Sequence, residues 1–143
     1  ILLSASIPIT PGTAEEANQV AHVLVVDDDF SIRQVIRFAL EDEGYTVDEA
    51  ADGEAALSMI DLRHPDVILL DIRMPGIDGW GFVEHYRERH GHQAPIIVIT
   101  ASQDPFQRGA DVHADDHLAK PFDLDVLLER VAALVDRTGG ADG

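Results

Sequence analysis

Four apolar residues running into an aspartate, Val67-Ile-Leu-Leu-Asp71, constrain this chain more than any other stretch. An unbroken apolar run of this length suits a strand whose two faces are both covered. Comparable runs occur at His22–Val26, leading into Asp27-Asp28-Asp29, and at Pro95–Thr100, ending in a hydroxyl. The stretches between them carry apolar residues at helical spacing. Buried strands that alternate with amphipathic helices build βα units around a parallel sheet, with helices on both faces. Right-handed crossovers leave few topologies for such a chain. Its functional groups are expected where strands end at their carboxyl edge.

Ile32, Val35, Ile36, Ala39 and Leu40 form the first helical stripe, with Asp29 or Ser31 as its cap and Gly44 as its stop. Tyr45–Ala50 predicts a short strand, and about Glu54 to Leu62 a second helix with Ala56, Met59 and Ile60 inward. Pro65 breaks the chain before the strand over Asp66–Asp71. Trp80–Arg89 predicts a third helix, with Trp80, Val83 and Tyr86 at compatible spacing. Asp116–Ala119 is a short, weak strand before Lys120-Pro121. Asp123–Val135 is the clearest helix, with Leu124, Leu127, Leu128, Val131, Leu134 and Val135 on one face. The segment 102–114 should supply a fourth helix, yet Pro105, Gly109, Ser102, Asp104 and Asp111 all disfavour one, so that helix is expected to be short or irregular. Residues 1–20, with Pro8, Pro11 and Gly12, read as a leader or linker, 21–137 as the folded domain, and 138–143, from near Gly139-Gly140, as a flexible tail.

The whole is 143 residues, one domain with tails. A net charge of -17 argues against direct binding of nucleic acid or an anionic membrane and suits a divalent cation or a basic partner. No cysteine is present, which excludes disulfides and thiol chemistry and fits a cytoplasmic location. No apolar run approaches the roughly 18–20 residues of a membrane span. Lys120 is the only lysine among ten basic residues, so any lysine-dependent chemistry must use it.

Asp27 and Asp28 follow the first strand, Asp71 ends the third, Thr100 the fourth, and Lys120 the fifth. A parallel sheet carries all five to one rim. Clustered carboxylates repel, and a hard cation such as Mg²⁺ relieves them while keeping positions open for other oxygens. Phosphoryl transfer asks for positioning and charge neutralisation. Asp71 would be the nucleophile, with Mg²⁺, Lys120 and the Thr100 hydroxyl receiving the phosphoryl oxygens.

Val23-Leu-Val-Val-Asp-Asp-Asp29, Asp71-Ile-Arg-Met-Pro-Gly-Ile-Asp-Gly79, Ile99-Thr-Ala101 and Lys120-Pro-Phe122, in this order, resemble the receiver domain of two-component response regulators over about residues 21–137. The resemblance implies a flavodoxin-like, doubly wound, five-stranded parallel sheet in the order 2-1-3-4-5. It implies that Asp71 accepts phosphate from the phosphohistidine of a sensor histidine kinase or phosphotransfer protein. Asp28 would ligate Mg²⁺ directly, Asp27 largely through water, and the Arg73 backbone carbonyl and Asp71 would complete the protein ligands. Thr100 would move toward the phosphoryl group and Lys120 pair with it, switching the surface formed by the fourth helix, fifth strand and fifth helix. Such a protein is a signalling phosphoacceptor with self-catalysed phosphotransfer and dephosphorylation rather than an enzyme. It would speak to a downstream protein or fused effector domain, or form a phosphorylation-dependent homodimer. A cis bond before Pro121 also fits the family.

Three features depart from the pattern or tune it. His117 stands where the family commonly has Tyr or Phe, and is either a switch residue, with a pH-sensitive imidazole, or an ordinary surface histidine. The gap from Thr100 to Lys120 is shorter than usual. Arg73 and Ser102 lie two residues beyond Asp71 and Thr100, where the family controls the path of attacking water. His22, His64, His85, His90 and His92 show no metal-ligand spacing. Two other readings remain: a haloacid dehalogenase-type phosphatase with Asp27 as nucleophile, and a receiver-like binding module that works without phosphorylation.

Overall fold

A computed structural model describes residues 20–72, 79–90, 94–101 and 115–142; for 79–80, 100–101 and 137–142 it describes the backbone alone. The strands are β1 (His22–Val26), β2 (Thr46–Ala50), β3 (Val67–Asp71), β4 (Ile96–Ala101) and β5 (Asp116–Lys120), and the helices α1 (Phe30–Asp42), α2 (Gly53–Leu62), α3 (Gly79–His90) and α4 (Leu124–Asp142). All strand pairs are parallel, in the order β2-β1-β3-β4-β5. This is the doubly wound topology expected above. The expected helix over 102–114 lies outside the described residues, as do the leader 1–19 and the last residue.

Strand residues separate by parity into two cores. Leu24, Val26, Ile68, Leu70, Ile96 and Val98 meet α2 and α3 through Ala56, Leu57, Ile60, Phe82, Val83 and Tyr86. Val23, Val25, Val67, Leu69, Ile97 and Ile99 meet α1 and α4 through Ile36, Leu40, Leu127, Val131 and Leu134. Both faces of β1 and β3 are therefore buried along their whole length, which is why their sequences show no polar alternation. Each such aliphatic side chain contributes roughly 1.5–3 kcal/mol of burial. The edge strands β2 and β5 are only partly covered, and they carry the polar residues Asp48, Glu49, Asp116 and His117.

Asp29, not Ser31, caps α1: its side chain accepts from the backbone N–H of Ser31 and Ile32. Gly44 closes the helix at φ 97, a left-handed value that costs a side-chain-bearing residue strain. Ile36 and Leu40 of the expected α1 stripe are buried, whereas Val35 is 50% exposed. The apolar arc of α1 is wider than its contact with the sheet. In α3, Val83 and Tyr86 are inward as expected and Phe82 joins them; the Trp80 side chain lies outside the described residues. The α4 backbone is helical to Asp142, through the Gly139-Gly140 pair where the sequence suggests that a tail begins. Helical hydrogen bonding can continue across glycine at about 1 kcal/mol per residue. Among the described residues, no helix is long and apolar enough to cross a membrane.

Candidate functional site

Because Val26 pairs with Leu70, Asp27, just after β1, and Asp71, the last residue of β3, reach the same rim side by side. Asp27 is 2% exposed and Asp71 4%, whereas Asp28 is exposed. Carboxylate oxygens of Asp27, Asp28 and Asp71 lie within 4.8 Å of one another. At an effective dielectric constant of about 20, two unit charges that close repel by roughly 3–4 kcal/mol. The last residue of β5 opposes this. Lys120 Nζ lies 3.4 Å from Asp27 Oδ2 and 3.6 Å from Asp71 Oδ1, two strands away across the sheet. The peptide bond between Lys120 and Pro121 is cis.

Asp27 is held at several points. Its N–H donates to the Ala50 carbonyl at 3.1 Å, and its Oδ1 accepts from Asp29 N–H at 2.8 Å. Its own carbonyl accepts from Arg33 Nη1 at 2.6 Å. Arg33 also donates through Nε to Glu49 Oε1 at 3.0 Å. Burial alone would raise the Glu49 carboxyl, but hydrogen bonds from Arg37, Arg33 and Gln34 outweigh it and hold the group below its ordinary value. Arg33 and Glu49 escaped the sequence reading, because a pair shared between a helix and an edge strand leaves no spacing signal. Arg33 in the first turns of a helix that follows the acidic loop was the available hint.

The sequence candidates thus divide. Asp27, Asp28, Asp71 and Lys120 are brought together. Thr100 is one residue beyond the partner of Asp71, since Asp71 pairs with Ile99; its side chain lies outside the described residues, as do Arg73 and Ser102. His117 is half-buried in β5 opposite Val98, and its carbonyl accepts from Arg130 at 3.4 Å. His22, His64 and His90 sit elsewhere. His22 starts β1 at the far rim, its Nε2 2.7 Å from Asp48 and its Nδ1 3.0 Å from Thr46. His64 and His90 pack with Tyr86, with ring centroids 5.4–5.7 Å apart.

Three oxygen donors, two of them buried, are chemistry for a hard divalent cation that prefers carboxylates and keeps part of its water. The residues present fit such an ion. The architecture is that of doubly wound α/β proteins with their chemistry at the carboxyl rim.

The response regulator receiver domain family model matches residues 23–132. Response regulator MprA of Mycolicibacterium vanbaalenii is 43% identical over 123 residues, 85% of this chain and 53% of that protein. A probable transcriptional regulator, ycf27 of Cyanophora paradoxa, is 42% identical over 118 residues, 81% of this chain and 48% of its own. Among solved structures, the receiver domain of the Francisella response regulator 1452 superposes with a TM-score of 0.76 at 36% identity, covering 82% of this chain and 98% of the other. Chemotaxis protein CheY4 of Vibrio cholerae gives 0.74 at 37% identity, covering 80% and 98%. The chain belongs to the response regulator receiver domains, the signal-receiving modules of two-component systems. It spans about half the length of the curated relatives it matches. The family match is to receiver domains rather than to the phosphatase reading of the Asp27 loop.

Proposed function

We propose that Asp71 is the phosphoacceptor of this receiver. The observation that carries this is its placement: a buried carboxylate ending a central strand, with Asp27 and Asp28 beside it and Lys120 Nζ 3.6 Å away. An Asp71 oxygen attacks the phosphorus of a phosphohistidine on a sensor histidine kinase or phosphotransfer protein. The P–N bond breaks, the imidazole leaves with its electron pair, and an acyl phosphate forms. Lys120 lies where its ammonium can pair with a phosphoryl oxygen. Asp27, Asp28 and Asp71, with the Arg73 carbonyl, would hold Mg²⁺, which when bound supplies positive charge against the carboxylate and phosphoryl oxygens. Hydrolysis reverses the modification: water attacks phosphorus, the P–O bond to Asp71 breaks, and inorganic phosphate leaves. Both steps would proceed on the receiver's own residues, with Arg73 and Ser102 proposed to tune the rate of hydrolysis.

Thr100 and His117 are the proposed switch pair. Both lie on neighbouring strands next to the site, and their shift would reshape the surface of the 102–114 segment, β5 and α4. That surface would signal to a downstream protein or a fused effector domain, or to a second copy of the chain. Relatives roughly twice as long, one of them a probable transcriptional regulator, favour a fused effector. A cytoplasmic setting follows from a kinase as donor. Beryllofluoride, an acyl-phosphate mimic, tests the reading. With Mg²⁺ it should shift amide resonances around Asp71 and along β5 and α4. An unchanged spectrum would favour a receiver-like module that works without phosphorylation.

A further inference from the structure

We infer that Arg33 is a positioning residue for the acidic site, acting through the peptide that joins Asp27 to Asp28. The inference rests on reading Asp27, Asp28 and Asp71 as the cation site. Its physical basis is that, of the three carboxylates, packing does not fix that of Asp28. Asp27 and Asp71 are buried, but Asp28 is exposed. The direction in which Asp28 leaves the backbone therefore depends on the plane of the peptide before it. The oxygen of that peptide is the Asp27 carbonyl, and Arg33 Nη1 holds it at 2.6 Å.

The guanidinium is itself held. Its Nε donates to Glu49 at 3.0 Å, its carbon lies 5.5 Å over the Phe30 ring, and its side chain is 13% exposed. Glu49 is fixed in turn by Gln34 and by Arg37 Nη1 at 2.7 Å. Glu49 precedes Ala50, whose carbonyl accepts the Asp27 N–H. Both sides of Asp27 are thus tied to the same end of β2: the N–H directly, the carbonyl through Arg33 and Glu49. This closed loop of contacts opposes the splaying that mutual repulsion of three carboxylates would cause. A planar fork with separated donors is needed to bridge a carbonyl and a carboxylate together; an ammonium is a point charge and holds one of them well.

Arg37 supplies the control. It binds the same Glu49 carboxylate and Glu41, and has no bond to Asp27. Mg²⁺ affinity is measured by calorimetry, and stability by urea unfolding, for the wild type, Arg33→Ala, Arg33→Lys and Arg37→Ala. Arg33→Ala should weaken Mg²⁺ binding by about tenfold or more, the usual effect of removing a group that orients a ligand. Arg37→Ala keeps both Gln34 bonds to Glu49 and the Arg33 bridge, and should leave the affinity within about twofold while lowering stability as a surface-to-edge ion pair does. Arg33→Lys, which keeps the charge and should fold, is expected to stay several-fold weak. Equal Mg²⁺ affinity in Arg33→Lys and wild type, or equal weakening in the Arg33 and Arg37 variants, overturns the inference. Absence of Mg²⁺ binding in the wild type overturns the cation site itself and the inference with it.

Discussion

The two rims of the sheet handle charge in opposite ways. At the amino rim, charged and polar groups pair with one another within the chain. His22 Nε2 lies 2.7 Å from Asp48 Oδ2, its backbone N–H donates to Asp66 Oδ2 at 2.7 Å, and Arg63 lies 3.5 Å from Asp48. Beside it runs a relay: Ala94 N–H donates to the Tyr86 hydroxyl, which donates to His64 Nε2, whose other nitrogen donates to the Pro65 carbonyl. At the carboxyl rim three carboxylates crowd together, and the Lys120 ammonium lies against two of them, Asp27 and Asp71. Polar groups that satisfy one another stabilise a fold, whereas like charges held together by a rigid sheet store electrostatic work for a ligand to release. Substitutions should therefore separate, with loss of function at one rim and loss of stability at the other.

The largest expected effect is at Asp71. Asp71→Asn should reduce phosphate incorporation from a small-molecule phosphodonor to background, read by phosphate-affinity electrophoresis, and should leave the chain folded because repulsion falls. Lys120→Met comes next. It keeps most of the side-chain stem, removes the shared ammonium, and should slow incorporation by about 100-fold, as loss of a positioned charge-stabilising donor does. An unchanged rate would mean that the 3.4 Å and 3.6 Å contacts are structural only.

At the other rim, Tyr86→Phe strands the Ala94 N–H and a histidine nitrogen, and should cost about 1–3 kcal/mol in urea unfolding with phosphorylation unaffected. A loss of phosphorylation at constant stability would break the contrast between the rims. The smallest effect concerns pH. Burial, and then the neighbouring His90, hold the His64 imidazole below its ordinary value, against the Pro65 carbonyl and Asp66, which raise it. The unfolded chain therefore takes up a proton at a higher pH than the folded one. The resulting stability is complete above the ordinary value of 6.5 and is lost as pH falls through the lower folded value. Unfolding midpoints at pH 7.5 and 5.5 should differ less in His64→Gln than in the wild type. An equal difference would assign the dependence to another group.

The carboxyl rim was legible in the sequence and the amino rim was not. Asp27, Asp71 and Lys120 terminate strands that can be read locally, and parallel topology does the rest by bringing strand ends together. His22 begins β1, Asp48 sits mid-strand in β2 and Asp66 precedes β3, with no shared chemistry to suggest a purpose, and their contacts depend on register. Arg33 and Glu49 fail for the same reason. The cap of α1 was legible only as a choice between Asp29 and Ser31, since both side chains can accept and backbone angles decide. Val35 fits the helical stripe, yet the stripe says which arc is apolar and not how much of it the sheet covers.

The most direct test of the central claim is the position of the acyl phosphate. The wild-type chain is phosphorylated with a small-molecule donor and Mg²⁺, trapped by borohydride reduction, digested and sequenced by mass spectrometry. The account predicts a reduction tag at Asp71 that disappears when Mg²⁺ is chelated. A tag at Asp27 or Asp28, with Asp71 unmodified, would contradict it.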